Sequence, residues 1–329
     1  MPFLLIVIIA IALIFDFLNG FHDASNIVAT MISSRAMSPR SALLICAGAQ
    51  FAGPFLFGVA VATTIGQEVV DPVAITSGVI IAALCGAILW NLFTWYFGWP
   101  SSTSHALIGG MMGAVTVATG FETVRMEGLE KILIALFLSP LLGLVLGYLV
   151  LKLIYFLSRG ASPRINTFFK RGQLGTSLAL ALSHGTNDAQ KTMGIIAMAM
   201  VTTGYVTEFH VPWWVIALSA GTISLGTVSG GWRLIETLGG KFFKIRPVHA
   251  FGSQLTSAGV ILGAALLGGP VSTTHVVSTA ILGAGSADRV SKVRWTVARD
   301  IAVAWVLTIP VSALLAAGLY LVVDLFLRT

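Results

Sequence analysis

Two aspartates stand inside apolar stretches, where a carboxylate is costly. Asp23 lies in "GFHDASN" and Asp188 in "HGTNDAQK", and both follow the pattern Gly-x-x-Asp-Ala. A charged group near the centre of a bilayer costs roughly 2.5 to 3.5 kcal/mol on insertion scales, so each carboxylate needs a partner or a ligand. Gly20 and Gly185 are expected to weaken the helix just before each aspartate and so to break it, which would free backbone carbonyls.

Carboxylate, amide and carbonyl oxygens are the ligands of a hard cation such as sodium, whereas a transition metal favours imidazole and thiolate. We therefore predict sodium binding at both motifs. The predicted sodium ligands are Asp23, Asn26, Asn187, Asp188, Gln50 and Gln254. Gln50 and Gln254 fit hydrogen bonds between helices equally well.

A structural role for the aspartates is the alternative. Asp23 would pair with His22 and Asp188 with Lys191, and the pairs would only hold helices together. Lys191 stands where the first motif has Asn26, so the two motifs differ there, and its amine either neutralises Asp188 or contacts an anion. Asp16 is expected near a helix end or interface, away from the centre.

Two hydroxyl-rich motifs, "PSSTSH" and "PVSTTH", follow Pro100 and Pro270, where a new helix is expected to begin. The unpaired N–H groups and positive dipole end of such a helix bind oxyanions. We predict that one tetrahedral anion lies between the two motifs, although Ser and Thr also simply cap helices. The predicted anion ligands are Ser101, Ser102, Thr103, Ser104, Ser272, Thr273, Thr274, Asn26 and Lys191. His105 and His275 would orient a hydroxyl, shuttle a proton or pack.

The elements that position these motifs are predicted to be membrane helices. Of 329 residues, 56% are hydrophobic and 10% charged, and the mean hydropathy is +0.92. Apolar stretches of about 18 or more residues recur, which is the length that a helix needs to cross a bilayer. Basic residues lie in short loops between these stretches, which indicates orientation in a membrane rather than binding of nucleic acid. An all-α polytopic protein of the cell membrane is therefore expected, with both termini outside.

The chain is predicted to contain two repeats of opposite topology. The Asp motifs are 165 residues apart and the hydroxyl motifs 170, in the same order in both halves, while the basic loops reverse every direction of crossing. Such a pattern is typical of inverted-repeat transporters. We expect repeats at residues 1–158 and 172–329, joined by a basic cytoplasmic linker at 159–171. Each has five membrane-crossing segments, giving 10 to 12 helices with some discontinuous or hairpin-like.

Four segments resemble the inorganic phosphate transporter family, known as PiT. They are "GFHDASN", "SHGTNDAQKTMG", "WNLFTWYFGWPSSTSHALIG" and "GPVSTTH". The resemblance spans nearly the whole chain. It implies uptake of inorganic phosphate with a cation, which is sodium in many members and protons or metal-phosphate complexes in others. It also implies that Asp23 and Asp188 are the functional aspartates, that Asn26 and Asn187 accompany them, and that the hydroxyl motifs form phosphate-facing hairpin tips.

Together these features predict a secondary transporter that imports phosphate by sodium symport and is not an enzyme. Moving one negative charge into a cell costs about 2.3 kcal/mol per 100 mV, and two sodium ions carried with a monovalent phosphate would reverse the sign. No cofactor is expected besides co-transported sodium. The expected partners are phosphate, sodium ions and the lipid bilayer, with no nucleic acid, and the lipid-facing surface leaves room for a homodimer.

Other activities use the same residues. A proton-coupled phosphate or metal-phosphate symporter, or a transporter of another oxyanion, differs only in what the two motifs hold. An intramembrane phosphohydrolase would use Asp and His as nucleophile or acid–base groups. Duplication of the candidate residues in inverted halves favours transport, because hydrolysis does not explain it.

Overall fold

The computed structural model describes residues 3–68 and 75–327, which form helices joined by short loops. Within these ranges there are twelve α-helices, as 10 to 12 were predicted. They are α1 Phe3–Ser33, α2 Pro39–Phe57, α3 Ala60–Thr63, α4 Ser77–Phe97, α5 Thr103–Thr119, α6 Met126–Leu157, α7 Ile165–Thr202, α8 Trp213–Ser229, α9 Trp232–Glu236, α10 Pro247–Leu266, α11 Thr273–Asp288 and α12 Trp295–Leu327.

Several helices face lipid. In the described part of the chain, α1, α2, α4, α6 and α12 are long and apolar enough to cross a membrane, and α8 with α9 forms one further span bent by 66°. Only 22% of the most apolar window of α12 and 28% of that of α6 is buried inside the protein. Apolar side chains on the outside of a helix bundle are stable in hydrocarbon, so the predicted multi-pass membrane protein is confirmed.

The helices form two repeats, α1–α6 and α7–α12. Helix α1 packs on α8 as α7 packs on α2, and α5 packs on α12 as α11 packs on α6. One π-helical turn, Thr64–Glu68, follows α3, and another, Thr237–Lys241, follows α9 at the equivalent position. Part of the predicted linker is helical, since α7 begins at Ile165. The repeat boundaries at 158 and 172 and the placement of both termini outside stay predictions.

The helices do not break at the Asp motifs, so that expectation is wrong. α1 runs unbroken through Gly20, and α7 runs unbroken through Gly185. These glycines instead permit close helix crossings. A Cβ on Gly20 would lie 1.9 Å from the carbonyl oxygen of Ile223 in α8, and one on Gly185 would lie 2.0 Å from that of Gln50 in α2. Small residues let membrane helices approach backbone to backbone, which keeps α1 and α7 in the centre of the bundle.

Two helical hairpins, α4–α5 and α10–α11, meet at their tips. Ser104 Oγ at the start of α5 donates a hydrogen bond to the carbonyl of Val271 (3.1 Å). The ring centroids of His105 and His275 are 4.4 Å apart. In the inverted topology the hairpins enter from opposite faces, so tips that touch place the start of α5 and the start of α11 inside the membrane. These are the hairpin-like segments that the sequence predicted.

We expect Gly185→Ala to destabilise the protein by about 1–3 kcal/mol or more, because the added methyl group would collide with the backbone of α2. Gly48→Ala in α2 is the matched control, because a Cβ there meets nothing within 4 Å. Thermal unfolding in detergent measures the difference. Equal unfolding temperatures for the two variants would contradict the close crossing of α7 and α2.

Candidate functional site

Asp23 is bound by the tip of the opposite repeat's hairpin. The side chain is only 1% exposed. Its Oδ1 accepts a hydrogen bond from Thr274 (3.0 Å) and its Oδ2 accepts one from Thr273 (3.2 Å). His22 Nδ1 lies 3.1 Å from Oδ1. A carboxylate of α1 is thus held against the first turn of α11, where the helix dipole favours negative charge.

Asp188 and Lys191 form a buried ion pair one helical turn apart on α7. Lys191 Nζ donates to Asp188 Oδ1, to Ser104 Oγ and to the carbonyl of Val271, the last at 3.0 Å. All three protons of the ammonium group therefore have acceptors. Both pairings of the structural alternative, Asp23 with His22 and Asp188 with Lys191, are present, and both extend to the hairpin tips.

His184 lies between the two carboxylates. Its Nε2 is 3.2 Å from Asp188 Oδ2 and 3.6 Å from Asp23 Oδ2. One ligand atom from each of the three residues lies within 4.8 Å of the other two, an arrangement that can hold a cation. Gln50 orients the ring, because its Nε2 is 3.0 Å from His184 Nδ1 and its Oε1 accepts a hydrogen bond from Thr227 (2.6 Å).

The sequence analysis missed His184, although two signals point to it. The spacing of 165 residues between the motifs makes it the counterpart of Asn19. It also precedes Asp188 by four residues, so both side chains project from the same face of α7.

Three of the predicted sodium ligands present unpaired oxygens. Asn26 Nδ2 donates to Thr274 Oγ1 (3.0 Å), and Asn187 Nδ2 donates to the carbonyl of Gly269 (3.1 Å). The buried Oδ1 of each amide and Oδ2 of Asp188 have no hydrogen-bond partner. Unsatisfied buried oxygens are rare in proteins, and a hard cation is one ligand that would satisfy them.

The predicted anion ligands meet at the two tips, where several already have partners. Ser102 and Ser272 cap α5 and α11, accepting hydrogen bonds from the N–H of His105 and of His275. Ser101 donates to Thr94 Oγ1 (2.8 Å). Thr103 donates to Asn19 Oδ1 (2.8 Å). Capping therefore occurs as the alternative predicted, and it fixes the two helix starts so that their first N–H groups converge on the same interior region.

Two other polar residues differ in position from expectation. Gln254, on α10, accepts from Thr176 (2.6 Å) and donates to Thr30 (3.0 Å). Thr30 is two helical turns beyond Asp23, about 10 Å along α1, so the structure does not bring Gln254 to the carboxylates.

Asp16, which we expected near a helix end, is fully buried between α1 and α7. Thr192 of α7 donates to its Oδ1 (2.9 Å), and its Oδ2 has no partner. The expectation is wrong because α1 carries Asp16 two turns before Asp23, on the face that packs against α7.

Comparison with known proteins places this geometry in a family. A model of the phosphate transporter family matches residues 19–164 and 158–316. A probable low-affinity inorganic phosphate transporter of Bacillus subtilis is 44% identical, over 98% of both chains. One of Rhizobium meliloti is 45% identical, over 98% of this chain and 97% of the relative. A solved structure described as the sodium-dependent phosphate transporter superposes with a TM-score of 0.88 at 26% identity, covering 98% of this chain and 99% of that chain.

Removal of the Asp188 carboxylate is expected to destabilise the protein more than removal of the Asp23 carboxylate. Asp188→Asn leaves the buried Lys191 ammonium without a counter-ion, at a cost of about 3–5 kcal/mol, whereas Asp23→Asn leaves that pair intact and relieves repulsion between like charges.

Thermal unfolding of the two purified variants in detergent tests the difference. The double variant Asp188→Asn/Lys191→Met should recover stability, because no unpaired charge remains. Equal losses in the two single variants would contradict the ion pair.

Proposed function

The chain belongs to the phosphate transporter family, and on that premise we propose that it imports inorganic phosphate together with sodium. It is a multi-pass transporter of the cell membrane and not an enzyme. Phosphate binds between the starts of α5 and α11, and sodium binds at the oxygens around Asp23 and Asp188. Movement of the repeats around this central site would expose it to each side in turn.

The observation that carries the phosphate site is the meeting of two helix N-termini inside the membrane. Each N-terminus presents roughly half a positive charge, so two of them offer about one charge to an anion. Ser104 Oγ and Thr274 Oγ1 lie at equivalent positions in the two helix starts, and the Lys191 ammonium contacts the first of them. Convergent N–H groups, hydroxyls and a cation are the chemistry that binds phosphate.

The oxygens without partners support sodium as the coupling ion. Asn26 Oδ1, Asn187 Oδ1 and Asp188 Oδ2 are acceptors with nothing to accept, and amide and carboxylate oxygens suit a hard cation. The name of the structurally similar protein, sodium-dependent phosphate transporter, supports the same ion. Uptake of an anion against an inside-negative potential also needs an accompanying positive charge.

Proton coupling is the second candidate, and one observation favours it. His184 lies within 3.6 Å of both carboxylates, and an imidazole between two carboxylates can take up and release a proton near neutral pH. In that case, the same site carries a proton, alone or with a metal-phosphate complex, in place of sodium.

Uptake of radiolabelled phosphate into proteoliposomes distinguishes the two candidates. We expect an inward sodium gradient to drive accumulation, and replacement of sodium by potassium at constant pH to abolish it. Asp23→Asn should lose the response to sodium, because it removes one charged ligand. Accumulation that follows only an imposed pH gradient would reject sodium in favour of protons.

Loss of a tip hydroxyl should weaken phosphate binding. We expect Ser104→Ala and Thr274→Ala each to raise the KM for phosphate about tenfold, which corresponds to one lost hydrogen bond of about 1.4 kcal/mol. Thr116→Ala is the control, because that hydroxyl is on the exposed face of α5 and bonds the carbonyl of Met112 in its own helix. An unchanged KM in both tip variants would argue against phosphate at the tips.

A further inference from the structure

The two repeats differ at one position of the central site. Asn26 of α1 and Lys191 of α7 are separated by 165 residues, the same spacing as Asp23 and Asp188. Asn26 Nδ2 donates to Thr274 Oγ1, and Lys191 Nζ donates to Ser104 Oγ, the hydroxyl at the equivalent place on the other tip. Each residue therefore bonds the opposing hairpin, once through a neutral amide and once through an ammonium group.

The Lys191 ammonium occupies a set of oxygens that would suit a sodium ion. Its acceptors are a carboxylate oxygen of Asp188, the hydroxyl of Ser104 and the backbone carbonyl of Val271. The side chain is 1% exposed and is among the largest fully buried ones. A tethered cation with all three protons bonded is not exchanged during transport, because leaving the site would leave it and Asp188 as unpaired buried charges.

The charges of the site add up to one mobile cation. Asp23 and Asp188 contribute two negative charges when ionised, and Lys191 contributes one positive charge, so one negative charge remains. Asp16, His22 and His184 also face this region, and they are unchanged in any Lys191 variant. A comparison of such a variant with the native chain therefore isolates the contribution of the ammonium group.

We propose that Lys191 is a built-in substitute for one transported cation, so that this protein carries one cation with each phosphate where two equivalent motifs would carry two. The proposal rests on the proposed phosphate transport with a cation. It predicts that Lys191→Asn, which restores the residue of the first motif, creates a second cation site beside Asp188. The variant should then move one more positive charge per phosphate than the native chain.

The test measures uptake of ²²Na and ³²P-labelled phosphate in the same proteoliposomes. We expect about one sodium per phosphate for the native chain and for Lys191→Arg, and about two for Lys191→Asn. Lys131→Asn is the matched control, because that lysine pairs with Glu68 at a half-exposed position outside the site, and its ratio should equal the native one. A native ratio of about two would overturn the proposal, even if Lys191→Asn does not fold.

A second readout does not depend on which cation is carried. An inside-negative potassium diffusion potential of about 100 mV adds about 2.3 kcal/mol for each positive charge moved, so it should raise the accumulation of phosphate by Lys191→Asn about fifty-fold relative to the native chain. If sodium has no effect but this difference appears, sodium coupling fails and the role of Lys191 stands. If an active Lys191→Asn responds to potential as the native chain does, the role of Lys191 is refuted.

Discussion

Asp23 and Asp188 are at most 1% exposed, and one oxygen of each lies within 3.6 Å of the same nitrogen of His184. Two carboxylates that approach so closely in a bundle without bulk water repel each other and lose their hydration, so they require positive charge and hydrogen-bond donors. The surrounding structure supplies both. Lys191 gives the charge, and the first turns of α5 and α11 give hydroxyls and dipoles.

Each repeat completes the site of the other. Asp23 of the first repeat is bound by Thr273 and Thr274 of the second, and Lys191 of the second reaches Ser104 of the first. The glycines of α1 and α7 allow the close crossings that bring these groups within reach. Relative movement of the repeats must therefore change the contacts of the site, which is the property that alternating access requires.

The exact equivalence of the repeats ends at Lys191. Two identical motifs would present two equal cation sites, whereas an ammonium group in one of them leaves a single net negative charge between the carboxylates. A covalently held cation differs from a bound ion in one respect, since it neutralises charge without crossing the membrane. One substitution in a duplicated motif can thus alter how strongly transport responds to membrane potential while the helices around it stay the same.

The sequence alone determined the membrane fold, the two repeats and the motifs that carry the site. Long apolar stretches and duplicated motifs are local patterns, and the bilayer restricts how they can fold. Only the tertiary structure decided that α1 and α7 stay unbroken, that Asp16 is central and Gln254 is not, and that His184 lies between the carboxylates. These outcomes depend on which faces of different helices meet. A Gly followed by an Asp reads the same whether the helix breaks or another backbone packs against it, so only the position of α2 and α8 distinguishes the two.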